Sequence, residues 1–219
     1  MAEEQFGKGV IGVATSFLGR YREFDVSVNR VVAPPGSVRE WFMGVNIAFH
    51  FNNMIRKMLK GDYQWVWILG DDHVFQPNLL MRLLERNVDV VVPLCLRRNN
   101  PFFPVISGGE EQQYRSLKAD GWDSIKGKSG LMELADLTTG NAGMLIKRHV
   151  AETMPGPWFE NGKLNPETNG MDIWFCKKVR DHGFSLYLDL DNTIGHLTHV
   201  AVWPTRDENN AYSPDIRTP

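Results

Sequence analysis

Apolar and polar positions alternate between two rhythms through the first hundred residues. Short apolar runs stand at Gly9–Ser16 (GVIGVATS), Trp65–Leu69 (WVWIL) and Val88–Leu94 (VDVVVPL). Runs of this length, bounded by small or polar residues, predict strands buried on both faces. Between about Met43 and Lys60 the apolar positions are Ile47, Phe51, Met54, Ile55, Met58 and Leu59, which is helical spacing, and Gly61 and Asp62 close that helix. Pro77 suits the first turn of a second helix, with Leu79, Leu80, Leu83 and Leu84 on one face. A further strand is expected within Phe24–Ser37 (FDVSVNRVVAPPGS), ended by Pro34, Pro35 and Gly36.

Strands alternating with helices predict an α/β domain whose central sheet is mostly parallel and covered by helices on both faces. The second half is less regular. Residues from about Asn99 to Asp136 are rich in Gly, Ser, Lys and Glu, and read as a long, partly ordered excursion such as a lid. A strand returns at Gly140–Arg148 (GNAGMLIKR). A helix is expected from about Met171 to His182 with Gly183 as its stop. SLYLDL (Ser185–Leu190) is read as the last strand, followed by DNTIGHLTH and a polar, proline-containing tail. No repeat or low-complexity segment interrupts this order, so residues 1–219 read as a single domain. Its regular half spans about 9–98, its less regular half about 99–200 and its tail 201–219.

Composition narrows the class. Apolar residues make up 42% and charged residues 23%, which fits a globular chain. A formal net charge of -2 gives no global field that favours nucleic acid or an anionic membrane. Cys95 and Cys176 both lie in apolar segments and read as buried free thiols in a reducing compartment. With an acidic, polar start (MAEEQFGKG) and no apolar run of bilayer length, the expected location is cytoplasmic, or host cytoplasm for a phage-encoded chain.

The chemistry gathers where the third apolar rhythm breaks off: WVWILGDDHVF ends a buried strand in Asp71, Asp72 and His73. In α/β sheets ligands bind at the carboxyl ends of strands, and Thr15 and Ser16 end another strand in the same way. Asp71 and His73 are alternate residues, which in an extended segment can face one side. Oxygen and nitrogen ligands together suit Mn²⁺, Mg²⁺ or Zn²⁺ and leave positions for a substrate phosphate. A solvated turn is the bland alternative for this triplet. His196, in GHLTH after the last strand, is a candidate third ligand, and His199 a weaker one. Asp172 opens a helix, where capping competes with a role as general base. Arg97 and Arg98 follow a buried strand and could hold phosphate or acceptor groups.

Taken together these segments resemble a nucleotide-sugar glycosyltransferase of the GT-A fold, close to the family 2 type, over about Val10 to His199. VIGVATS, WVWILGDDH, TTGNAGMLIKRHV, PWF and GMDIWFCKKVRDHGFSLYLDLDNTIGHL carry the resemblance. Two departures stand out. The metal motif reads DxH, similar to polypeptide N-acetylgalactosaminyltransferases, in which a later histidine completes the site. The acidic motif reads Met171-Asp172 instead of Glu-Asp. The resemblance implies a Mn²⁺ or Mg²⁺ ion on Asp71, His73 and His196. It implies a donor, a UDP-sugar foremost, lying against Ala14, Thr15, Ser16, Asn53, Arg56, Asp71 and Asp72. Asp172 would be the base of an inverting transfer, with Asp136 and Glu167 as fallback carboxylates. Arg97, Arg98, Trp122, Gly140 and Asn141 would face an acceptor glycan, a small molecule or modified DNA, and Trp203 and the tail would fold over the donor. The alternatives are glycosylation of modified phage DNA bases by the same chemistry, a metal-dependent phosphohydrolase, and a nucleotide-sugar binding module without turnover.

Overall fold

The computed structural model describes residues 6–16, 19–98, 102–108, 115–116, 119–163, 170–198 and 201–217. The elements follow one another as β1 (Val10–Thr15), α1 (Arg22–Asn29), β2 (Val38–Met43), α2 (Ile47–Lys60), β3 (Trp65–Gly70), β4 (His73–Val74), α3 (Leu79–Glu85) and β5 (Val90–Cys95). Then come β6 (Ile106–Gly108), β7 (Arg115–Ser116), α4 (Ala119–Asp123), β8 (Leu131–Glu133), β9 (Thr138–Thr139), β10 (Met144–Lys147) and α5 (Arg148–Thr153). The chain continues through α6 (Met171–Asp181), β11 (Leu186–Leu197), β12 (Ala201–Arg206) and β13 (Tyr212–Arg217).

The main path of the large sheet runs β13-β12-β11-β5-β10-β3-β1-β2, and β4 and β8 pair with β11 beside it. A small sheet, β7-β6-β9, lies apart. β1 is parallel to β2 and β3, and β5 is parallel to β11. β10 is antiparallel to both β3 and β5, so these two run the same way. The carboxyl ends of β1, β2, β3, β5 and β11 therefore share one edge. The sheet is mixed rather than mostly parallel, because β10, the β11–β12–β13 meander and the short strands all add antiparallel ladders. No described helix is long and apolar enough to cross a membrane.

The apolar runs behave as their pattern requires. β1 and β5 are buried at every residue, and β3 at all but Gly70, so both faces are covered. Trp65 and Trp67 are fully buried, and each indole N–H finds a backbone carbonyl, Gly7 at 3.1 Å and Gly143 at 2.9 Å. α2 starts where Asn46 accepts a hydrogen bond from Phe49 N at 3.0 Å, and its Ala48, Phe51, Met54, Ile55 and Met58 face the core. On the same helix Asn52 satisfies all its bonding capacity. It donates to the carbonyls of Ala48 and Phe159, and accepts from the N–H groups of Trp158 and Phe159.

Two expectations change. The segment from Phe24 is helix α1, not strand: Phe24, Ser27 and Val28 are buried at spacings of three and four, and the strand follows Gly36 instead. The polar tail is not an appendage. β11 runs on through Leu197, and β12 and β13 extend the sheet from it. Inside β11 the ladder to β5 shifts register between Asp189 and Thr193, a bulge. Asp189 is fully buried there. It accepts from Arg86 Nε at 2.8 Å, Arg86 Nη2 at 2.9 Å and Asn192 Nδ2 at 2.7 Å. Beyond the bulge β11 pairs β5 again at Thr193 and Ile194, and then runs on against β4 and β12.

Candidate active site

The polar triplet lies at the carboxyl edge because β3 ends at Gly70 and the chain turns at Asp71 and Asp72. The glycine is needed there: a Cβ on Gly70 would stand 2.8 Å from Asp72 Oδ1 and 3.4 Å from the His73 ring. After the turn, β4 pairs antiparallel with β11 and sets His73 directly opposite His196. Opposite residues on neighbouring strands share a face. The two imidazoles lie 5.3 Å apart, centroid to centroid. Asp72, His73 and His196 each present one ligand atom, all within 4.8 Å of one another.

Hydrogen bonds orient the group. His196 Nδ1 lies 3.0 Å from the Leu96 carbonyl, which favours a proton on that nitrogen and turns Nε2 toward Asp72 Oδ2 at 3.2 Å. A backbone carbonyl behind a ligating imidazole is the usual way its tautomer is fixed. Arg98 donates to Asp72 Oδ2 at 2.8 Å. Burial alone would raise the Asp72 carboxyl. The hydrogen bond from His196 and the positive charges of His73, His196 and Arg98 outweigh it and hold the group well below the usual carboxylate range. Burial pushes His73 down to about 4. Burial also disfavours charge on His196, but hydrogen bonds to Asp72 and Cys95 and the Asp72 charge push it up to about 10. His73 Nδ1 is buried without a hydrogen-bond partner. A neutral imidazole with an unused lone pair, beside an ionised carboxylate and a second imidazole that a cation would engage by displacing its Nε2 proton, is a donor set that fits a divalent cation.

Next to this cluster is a cavity of about 420 Å³. Ala14, Thr15 and Ser16 line it from the end of β1, and Gly70 and Asp71 from the end of β3. Thr15 Oγ1 donates to Asp71 Oδ2 at 2.5 Å and Ser16 N donates to the same oxygen at 3.3 Å, so neighbouring parallel strands pin Asp71 in place. Gly44, Val45, Ile47, His50 and Phe51 line it from the β2–α2 connection and the start of α2, Asn141 from the connection before β10, and Met171 and Asp172 from the start of α6. Asp172 lies in the first turn of α6, which has no side-chain cap. Burial pushes its carboxyl up to about 6, partly offset by a hydrogen bond from the Asn141 backbone, and Oδ1 has no partner. A Cβ on Gly140 would stand 3.7 Å from Asp172 Oδ2.

The structure thus brings Ala14, Thr15, Ser16, Asp71, Asn141 and Asp172 to one cavity, with Gly140 against it and Asp72, His73, His196 and Arg98 beside it. The carboxylate in the histidine cluster is Asp72, whereas alternation along an extended segment pointed to Asp71. The chain turns at Asp71–Asp72, so alternation does not apply there. Asn53 and Arg56 bond to each other at 2.8 Å on α2, and neither is among the cavity-lining residues. Arg97 bonds through its backbone to Phe103 O at 2.8 Å, and burial lowers its guanidinium. Trp122 stacks on Tyr212 at 6.3 Å, so the tail covers it. Trp203 packs against Gly195, beside His196. Asp136 is exposed, and His199 and Glu167 lie outside the described residues. Sequence reasoning missed His50. Its signal was a polar residue on the apolar face of α2, one turn after Ile47 and next to Phe51.

No protein-family model matches the chain. Over 153 residues, 68% of its length, it is 26% identical to a protein of Acanthamoeba polyphaga mimivirus described as "Procollagen lysyl hydroxylase and glycosyltransferase". That match takes in 16% of the viral protein. Among solved structures, the crystal structure of A197 from STIV aligns with a TM-score of 0.60 over 96% of this chain and 95% of that one, at 13% identity. The second likeness is one of fold. The first is a distant sequence relationship to a protein whose description includes glycosyl transfer.

Proposed function

We propose that the chain is a metal-dependent glycosyltransferase of GT-A type. It moves a sugar from a nucleoside diphosphate sugar to an acceptor hydroxyl with inversion at the anomeric carbon. The observation that carries the reading is the pairing of a two-histidine, one-carboxylate cluster with a cavity lined by Asp172, a carboxylate whose Oδ1 is buried without a partner. Asp72, His73 and His196 would hold a Mn²⁺ or Mg²⁺ ion, whose positive charge would offset the charge that develops on a diphosphate leaving group. Asp71, fixed by Thr15 and Ser16, shapes the donor side, and Arg98 keeps Asp72 ionised. Asp172 takes the proton of the acceptor hydroxyl as its oxygen bonds the anomeric carbon and the bond to the diphosphate breaks. A carboxyl raised to about 6 is well matched to accepting a proton near neutral pH. The name of the viral relative supports sugar transfer as the reaction class.

The test is a donor screen. The full chain is incubated with UDP-, GDP-, ADP- and CMP-linked sugars, with and without Mn²⁺, in the presence of glycan, small-molecule and hydroxymethylated DNA acceptors. Release of free nucleotide and a mass gain of one sugar on an acceptor, both abolished by EDTA, are expected. Phosphoester hydrolysis without an acceptor would favour the phosphohydrolase. Donor binding without turnover would leave a binding module.

One observation favours a second reading. Two histidines and one carboxylate are also the ligand set of non-haem iron oxygenases, and the viral relative's description includes lysyl hydroxylase. Oxygen consumption with Fe²⁺, a lysyl peptide and a 2-oxo acid as the two-electron reductant, in place of nucleotide release with Mn²⁺, would select it.

A further inference from the structure

His50 is 6% exposed, and its Nε2 has no hydrogen-bond partner although it lines the cavity. A buried imidazole nitrogen without a partner costs free energy unless a ligand completes it. Two further features point the same way. Gly44, at φ +145°, comes so close that a Cβ there would stand 3.0 Å from His50 Nε2, so a glycine is needed to keep that buried nitrogen from being capped by a side chain. Val45 and Ile47, which line the same cavity, are 89% and 47% exposed, apolar surface left for something flat and apolar to cover. Asp71 and the metal cluster mark where a diphosphate would lie. Asp172 and Asn141, whose buried Nδ2 also lacks a partner, line the cavity from α6 and the connection before β10. The β2–α2 connection and the start of α2 add the apolar side chains of Val45, Ile47 and Phe51 and one polar side chain, His50.

Resting on the glycosyltransferase reading, we propose that His50 is the specificity-determining residue of the donor site, its Nε2 hydrogen-bonding the polar edge of the nucleobase while Val45 and Ile47 cover the ring. A site that hydrogen-bonds a ligand edge discriminates by leaving its own buried group unpaired when the edge is wrong.

The experiment titrates UDP, CDP, ADP and GDP against the full chain with Mg²⁺ by calorimetry. UDP and CDP share ribose, diphosphate and ring and differ only at the base edge, as do ADP and GDP at theirs. The wild type should rank the bases, and His50→Phe, which keeps the ring but not the nitrogen, should bind its preferred nucleotide about tenfold more weakly and flatten the ranking. His50→Gln, which returns an amide to the cavity, should recover part of both. Mn²⁺ affinity without nucleotide should be unchanged in either variant. Wild-type binding with no base preference, or a His50→Phe protein that keeps the wild-type ranking, overturns the assignment and leaves the glycosyltransferase reading standing. A wild type that binds no nucleoside diphosphate sinks both.

Discussion

Asp172→Asn is the most informative single change, because the same substitution should stabilise the fold and stop the reaction. Burial lifts the Asp172 carboxyl from 3.8 to about 6. The folded chain then binds this proton more tightly than the unfolded chain does. The group's contribution is most favourable below about pH 4, is lost as pH rises from about 4 to 6, and leaves a constant cost above that. At 1.36 kcal/mol per tenfold change in proton affinity, the cost of holding the ion at pH 7 is about 3 kcal/mol. Asparagine has the same shape and no charge, so it removes that cost while weakening the bond from the Asn141 backbone. The expected net gain is about 1–3 kcal/mol at pH 7.5, or roughly 2–4 °C in Tm for each kcal/mol. At pH 4, where the wild-type carboxyl is already protonated, the two proteins should melt together. Donor affinity should persist, and transfer should fall by roughly two to four orders of magnitude, the range for a lost general base. In the wild type, activity should climb with pH through about 6 as the base ionises. Differential scanning fluorimetry from pH 4 to 8 and product-linked kinetics read both arms. An Asn variant that melts below the wild type at pH 7.5 refutes the burial argument, and one with near-normal turnover, or a product of retained configuration, refutes the role of base.

Three other expectations are independent of that one. Adding Mn²⁺ at a hundred times its Kd should stabilise the wild type by about 2.7 kcal/mol, visible as a rise in Tm, and His73→Ala or His196→Ala should show no rise while keeping the native circular dichroism spectrum. Asp189→Ala strips the buried partner from Arg86 and should cost about 3–5 kcal/mol, so an unshifted urea midpoint would contradict its structural role. Asn52→Ala leaves two carbonyls and two N–H groups without their side-chain partner and should cost about 2–4 kcal/mol in the same assay, with metal affinity unaffected.

What the sequence disclosed follows from what its patterns record. Unbroken apolar runs such as WVWIL encode burial on both faces, so β1, β3 and β5 are legible, and the polar break after Leu69 marks the working edge of the sheet. Direction is not encoded in the same way: nothing in MLIK says that β10 enters antiparallel between β3 and β5. Val26 and Val28 offered a strand alternation, while Phe24, Ser27 and Val28 offered a helix. Three-dimensional packing chose the helix. The partnership of Asp72 with His196 was hidden because it depends on the turn after Gly70 and on a ladder between residues 124 apart. His50 was hidden because a lone histidine on an apolar helical face looks like core until the space in front of it is known.

The bulge in β11 has a consequence for how the molecule matures. His196 lies shortly beyond Thr193, where pairing resumes after the register shift, and side chains on a strand change face with every residue. A slip of one position would replace the imidazole opposite His73 with Gly195 or Leu197, and the cation site would vanish. An ion bridging Asp72, His73 and His196 would also clasp two chain segments 124 residues apart, favouring the one strand alignment that forms the clasp. Metal uptake during refolding would then be a proofreading signal: it would report that β11 has joined the sheet in the correct frame, before any substrate is bound.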